Sequence, residues 1–199
     1  MKLRLGFISS HGGSSMQAIC AAIQTGQLDA EARVVISNNS QSNALAFARE
    51  ATIPAYHLSL KTEQTAEKLD RAMCETLLAH EVQLVVLSGY MKKLGPQTLA
   101  MYKDHILNIH PALLPTYGGQ GLYGNHVHAA VLAAGEQETG VTIHLVDEYY
   151  DHGQTIAQCK IPVLPTDSVE SLAQRVKERE QTFFVEVLQQ IAASTIEVI

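Results

Sequence analysis

No stretch of this chain reaches the roughly 18 consecutive apolar residues that a bilayer-spanning helix needs, so no membrane segment is expected. No CxxC pair occurs either. Cys20, Cys74 and Cys159 are odd in number and far apart, which fits reduced thiols in a cytoplasm and suggests no zinc site. Basic charge is scarce: 14 Lys and Arg stand against 20 Asp and Glu, a formal net charge of −6. Non-specific nucleic-acid binding needs a basic surface and is not expected, although a local basic spot can still hold a small anion. The glycine turn near the N-terminus lacks both the Gly-Lys-Ser/Thr ending of a P-loop and the GxGxxG spacing. The second apolar run ends Ser37-Asn38-Asn39, without the acidic residue that holds a dinucleotide ribose, so NAD is disfavoured. Internal repeats, linkers and low-complexity segments are missing too.

What is present suits a compact fold. Hydrophobic residues make up 46% and charged ones 17% of 199 residues, enough for a core and against disorder. One domain, 1–199, is the expectation. Met1 to Ile8 is a short apolar run entering a glycine turn, a first strand and not a signal peptide. The pattern predicts strands at Leu3–Ser9, Ala32–Ser37, Ala55–Leu58 and Gln83–Ser88, alternating with helices at Ser14–Thr25, Ser42–Ala51 and Thr62–His80. Uninterrupted apolar strands that alternate with helices indicate a parallel sheet covered on both faces. Beyond residue 100 the character changes. Ile106–His110 reads as a short strand, Pro111–Asn125 as a long loop, and Asn125 as the cap of a helix ending before Gly135. Gly140–Val146 and Thr155–Val163 alternate and read as strands of the same sheet, joined by a loop at Tyr149–Gly153. A last helix is expected from Asp167, with Glu170 as its capping-box partner, to about Ala192.

Several places carry chemistry. Asn108 and His110 are two apart, so on a strand they share a face, and Pro111 ends that strand. A carboxamide N–H and an imidazole side by side can stabilise an oxyanion at an attacked carbonyl, or can simply tidy a strand end. Asp151 would be the third member, since a carboxylate beside an imidazole favours its charged form and keeps a proton available. Asp-x-Gly is also an ordinary turn. The turn Ser9-Ser10-His11-Gly12-Gly13-Ser14-Ser15-Met16 opens a helix whose N–H groups and dipole favour a phosphate, with Ser14 and Ser15 adding hydroxyls; the plainer reading is a glycine turn with a serine cap.

Glu180 falls on the apolar stripe Leu172, Val176, Phe183, Val187 and Ile191. A carboxylate there costs free energy unless paired. It either joins an internal Arg or Lys or points at a ligand, with Lys177 one turn earlier. Tyr90, Met91 and Leu94 follow a buried strand and either form an apolar slot for a flat ring or pack the next helix. His126 and His128 are spaced against sharing a helical face, so metal ligation is not expected. His144 alternates with apolar neighbours and reads as structural.

Taken together these pieces resemble the folate-dependent formyltransferase family, in particular the phosphoribosylglycinamide formyltransferases of purine synthesis. The resemblance runs over nearly the whole chain. Its most specific parts are Leu107-Asn108-Ile109-His110-Pro111-Ala112-Leu113-Leu114-Pro115 and Gly140-Val141-Thr142-Ile143-His144-Leu145-Val146-Asp147, continuing to Asp151-His152-Gly153. It implies an α/β fold: a Rossmann-like, mostly parallel twisted sheet with helices on both faces and an antiparallel C-terminal edge contribution. It also implies a phosphate-binding half, 1–100, and a catalytic and folate-binding half, 101–199.

Residue by residue, the family's catalytic asparagine, histidine and aspartate match Asn108, His110 and Asp151. Its phosphate-binding helix start matches Gly13, Ser14 and Ser15, and its ribose-binding glutamate matches Glu180, with Lys177 nearby. Its folate loops match Tyr90, Met91, Lys92, Lys93 and Leu94, and Val146, Asp147, Glu148, Tyr149 and Tyr150. Ser15 stands where the family usually has asparagine, Leu145 where it favours an aromatic or valine, and the loop Tyr117 to Gly124 is longer and richer in glycine. Lys92 and Lys93 make the folate edge more cationic, which suits a glutamate tail.

The activity so implied is transfer of a formyl group from 10-formyltetrahydrofolate, the co-substrate, to the amine of glycinamide ribonucleotide, with no metal. The partners are those two small molecules, with no nucleic acid and no membrane; a homodimer is left open, and the cytoplasm is the expected compartment. Three competitors stand beside this reading. One is a formyltransferase for another amine, such as an amino sugar nucleotide. Another is formyltetrahydrofolate hydrolase, which generally carries an extra N-terminal regulatory domain for which this chain has no room. The third is a non-catalytic nucleotide- or folate-binding protein, which would not need the Asn108, His110 and Asp151 set.

Overall fold

The computed structural model describes residues 2–195. Seven strands form one sheet in the order β3-β2-β1-β4-β5-β6-β7. They are β1 (Leu3–Ser9), β2 (Ala30–Ser37), β3 (Ala55–His57), β4 (Leu84–Leu87), β5 (Ile106–His110), β6 (Glu138–Leu145) and β7 (Thr155–Pro162). The first five pair in parallel, whereas β6 runs antiparallel to both β5 and β7. The expected sheet, parallel with an antiparallel C-terminal contribution, is what the chain forms.

The all-apolar strands are buried from both sides. Leu84 and Val86 of β4 join the core under α1 (Ser14–Gln24), α2 (Asn43–Glu50), α6 (Asn125–Ala133) and α7 (Val169–Ala192). Val85 and Leu87 join the other core, under α4 (Ala66–Ala79). Alternation of side chains across a strand is what sends neighbours into opposite layers. The chain leaves β1 for one flank of the sheet and β4 for the other, which opens a crevice at their C-terminal ends. Hydrogen bonds across that crevice join the two loops: Ser10 N–H to the Gly89 carbonyl, Met91 N–H to Ser10 Oγ, and Met16 N–H to Ser88 Oγ.

Three helix boundaries differ from expectation, each for a local reason. The helix expected over Thr62–His80 is broken into α3 (Leu60–Glu63) and α4, because Gln64 takes a positive φ of 71° and Thr65 caps α4 by accepting from Lys68 N–H. Asn125 is not the cap of α6 but its first residue; Gly124, at φ 53°, holds the cap position without a side-chain bond. The last helix is capped by Ser168, whose reciprocal partner is Ser171 and not Glu170. Asp167 instead accepts from Leu164 N–H and Ser171 Oγ and pairs with Arg175. A short helix α5 (Pro96–Met101) follows β4; buried Asp70 accepts from Gln97 N–H, Thr98 N–H and Thr98 Oγ at its start. No described helix is long and apolar enough to cross a membrane.

Candidate active site

The crevice at the strand ends holds a cavity of about 740 Å³. At one end lies the start of α1. Gly13 sits at φ 61°, and a Cβ there would press on Met16 Cε at 3.1 Å and Ala44 Cβ at 3.2 Å, so the turn needs glycine. The next N–H groups, of Ser14 and Ser15, have no acceptor inside a helix that begins with them. Across the cavity, α7 contributes Lys177 and Glu180. Among the described residues Glu180 forms no ion pair, so the internal Arg or Lys partner weighed from the sequence is not found. Burial pushes its carboxyl up to about 7, against the opposing pull of His110 and Lys177.

The middle of the cavity holds the polar cluster. Asn108 and His110 stand on one face of β5, and the antiparallel register sets Asn108 opposite His144 and His110 opposite Thr142. Asp151 arrives from the loop after β6, at φ 53°. That loop passes so close to the strand that a Cβ on Gly153 would lie 1.9 Å from the Leu145 carbonyl, which accounts for the Asp-x-Gly ending. Asp151 Oδ1 faces His110 Nδ1 at 3.4 Å and His144 Nε2 at 3.6 Å, while Oδ2 accepts from Gly119 N–H at 3.0 Å. Burial alone would raise the Asp151 carboxyl. The two facing imidazoles and the Gly119 N–H outweigh it and hold the group well below the usual carboxylate range, so it is ionised at neutral pH.

His144 is closer to this cluster than a purely structural histidine would be. Its Nδ1 lies 2.8 Å from the Leu145 carbonyl, which can only accept, so Nδ1 carries hydrogen. Its Nε2 stands between Asn108 Nδ2, 3.1 Å away, and Asp151 Oδ1, and so links the carboxamide to the carboxylate. The alternation of β6 concealed this: nothing in one strand reveals which residue it meets on the next. His128 is buried and His126 exposed.

A second, narrower cavity of about 60 Å³ adjoins the first. Lys93, Leu94, Val146, Asp147, Glu148 and Tyr149 line it, and Tyr90, Lys92, Asn108, Tyr150 and Asp151 line both. Met91 lines the larger cavity beside Tyr90 and Lys92. Lys93 Nζ donates to the Glu148 carbonyl at 2.9 Å and lies 5.1 Å from the centre of the Tyr150 ring, tying the two loops together. Asp147 shapes its loop by accepting from Tyr149 N–H at 2.8 Å. Burial, with Tyr150 beside it, pushes the Tyr90 phenol up to about 12, so it remains a neutral donor. Sequence reasoning had not placed Ser88 or His144 at these cavities. The glycine-rich segment from Gly119 to Gly124 lines the larger one.

The open, mostly parallel sheet thus carries an Asn-His-Asp cluster between two joined cavities. The chain belongs to the formyl transferase family, whose model matches residues 3–188. It is 36% identical over 193 residues to the chloroplastic phosphoribosylglycinamide formyltransferase of Vigna unguiculata, covering 97% of this chain and 62% of that one. To the phosphoribosylglycinamide formyltransferase of Haemophilus influenzae it is 34% identical over 181 residues, 91% of this chain and 83% of that one. The chain thus spans somewhat under two thirds of the plant proteins' length, 62% and 64% in cowpea and Arabidopsis thaliana. The phosphoribosylglycinamide formyltransferase of Brucella melitensis superposes with a TM-score of 0.89 at 36% identity, covering 97% of each chain.

Proposed function

We propose that this protein transfers the formyl group of 10-formyltetrahydrofolate to the primary amine of glycinamide ribonucleotide, a step of purine synthesis. The observation that carries the reading is the junction: the larger cavity, with a helix start at one end, and the narrower one share Asn108 and Asp151. A phosphorylated amine would occupy the first and the flat folate ring would enter along the second, so that amine and formyl carbon meet at the polar cluster. The phosphate would take the N–H groups and hydroxyls of Ser14 and Ser15, and Glu180 with Lys177 would take the ribose.

The amine nitrogen attacks the formyl carbon, forming a C–N bond and a tetrahedral oxyanion. Asn108 Nδ2 and protonated His110 donate to that oxygen, which develops charge only as the reaction proceeds. Ionised Asp151 keeps the His110 imidazolium in place. The attacking nitrogen then gives up one proton, which passes through water held at Asp151 to the folate nitrogen as its bond to carbon breaks. Neither a covalent enzyme intermediate nor a metal enters this sequence.

A formyl-transfer assay that follows loss of the folate formyl group, run with glycinamide ribonucleotide and rival amines including an amino sugar nucleotide, tests the proposal. Preferred transfer to glycinamide ribonucleotide is expected. Faster transfer to another amine, or folate binding without transfer, would refute it.

A further inference from the structure

The glycine-rich segment from Tyr117 to Gly124 touches both members of the central pair. His110 Nε2 lies 2.6 Å from the Tyr117 carbonyl, and two residues further on Gly119 N–H donates to Asp151 Oδ2 at 3.0 Å. A carbonyl only accepts, so His110 Nε2 carries a hydrogen in every protonation state. The proton that His110 gains or loses therefore belongs to Nδ1, the nitrogen facing Asp151 at 3.4 Å. That distance is long for a full hydrogen bond, so an N–H at Nδ1 keeps capacity for a substrate oxygen.

The side chain of Tyr117 is anchored at two places. The ring packs against the larger core, and the phenol donates to Glu136 Oε1 at 2.7 Å, in the turn between α6 and β6. That bond pushes the Tyr117 phenol up, so it stays a protonated donor. We infer that Tyr117, tethered to Glu136, is a positioning residue that selects the Nε2–H form of His110 and so places its exchangeable proton against Asp151. The inference rests on the assignment of His110 and Asp151 to formyl transfer. Tyr117 itself reaches the reaction only through those two side chains.

Tyr117→Phe keeps the ring and its packing but removes the tether. The full-length variant should lose kcat about tenfold while KM for both substrates stays within about twofold, because orientation and not binding is lost. Glu136→Ala should reproduce that loss, and Glu136→Gln, which keeps an oxygen acceptor, should restore near-normal turnover. The double variant Tyr117→Phe with Glu136→Ala should be no worse than either alone, the non-additivity expected of one shared bond. Nitrogen NMR of labelled histidine at a pH high enough to make the His110 ring neutral, with its signals assigned by their loss in His110→Ala, should show the Nε2–H form in the parent and a mixture in Tyr117→Phe.

Unchanged kcat in Tyr117→Phe overturns the inference, as does a Glu136→Gln variant as damaged as Glu136→Ala, or an unchanged His110 signal. A turnover loss that merely follows a lowered melting temperature also counts against it. His110→Ala and Asp151→Asn, assayed alongside, separate the two levels. If both keep near-normal turnover, the catalytic reading falls and this one with it. If both lose turnover while Tyr117→Phe does not, only the tether is refuted.

Discussion

Where Gly13, Ser14 and Ser15 border the main cavity, the chain offers mostly backbone: a glycine in the left-handed region and the free N–H groups of a helix start. Where Asn108, His110, His144 and Asp151 border it, the chain offers side chains that depend on one another across β5, β6 and the following loop. Backbone donors are set by local conformation and tolerate a change of side chain. A side-chain cluster has no such reserve, because each member is oriented by the next. The Ser15 departure from the family pattern falls at the tolerant end, and the matched asparagine, histidine and aspartate fall at the other.

The contrast can be broken most directly at the side-chain end. His110→Ala should lower kcat by about 10²- to 10⁴-fold, the range of a positioned acid or base, with the fold intact by circular dichroism. Asp151→Asn should do the same while keeping a residue that tolerates a positive φ. Near-normal turnover in either variant would remove the cluster from the chemistry.

At the backbone end, Gly13→Ala forces a left-handed alanine against Met16 and Ala44. Its effect should appear as an acceptor KM raised about tenfold, with the folate KM unchanged, because only the helix start is displaced. Equal rises in both KM values would show that the two ends are not separate.

Glu180 offers a third measurement, in stability. Its folded pKa of about 7 lies above that of a free glutamate, so the folded state holds this proton more tightly. Stability contributed by the protonated form is present at low pH and is lost as pH rises through 7. Glu180→Gln should therefore melt about 2–4 °C higher than the parent at pH 8, a gain of about 1 kcal/mol that fades by pH 4.5. A melting difference independent of pH would mean that the carboxyl is not desolvated. The smallest effect is expected from Ser14→Ala, about two- to fivefold in acceptor KM, since one hydroxyl is lost while the N–H groups stay.

Much of the fold was legible because its signals are local. Apolar strands separated by amphipathic helices specify a covered parallel sheet, and Leu3–Ser9 and Ile106–His110 have the ends expected of them. The errors fell at helix ends, where the cap depends on one residue: Thr65, Gly124 and Ser168 each displaced an expected boundary. The residues matched to the family's sites do line the two joined cavities. His144 escaped notice because its partner lies 36 positions away, and the contacts of the glycine-rich segment to His110 and Asp151 were not legible because backbone atoms make them.

By itself, then, the sequence determined the layers, the succession of elements and which residue types stand at strand ends and helix starts, since these follow from periodicity and turn chemistry. Only the tertiary structure decided what those residues face. The antiparallel register put His144 against Asn108, α7 carried Glu180 to the cavity, and the Tyr117 carbonyl came to His110. The reason is one of range. Conformational preference acts over a few residues, whereas hydrogen-bond pairing and burial act across the whole folded chain.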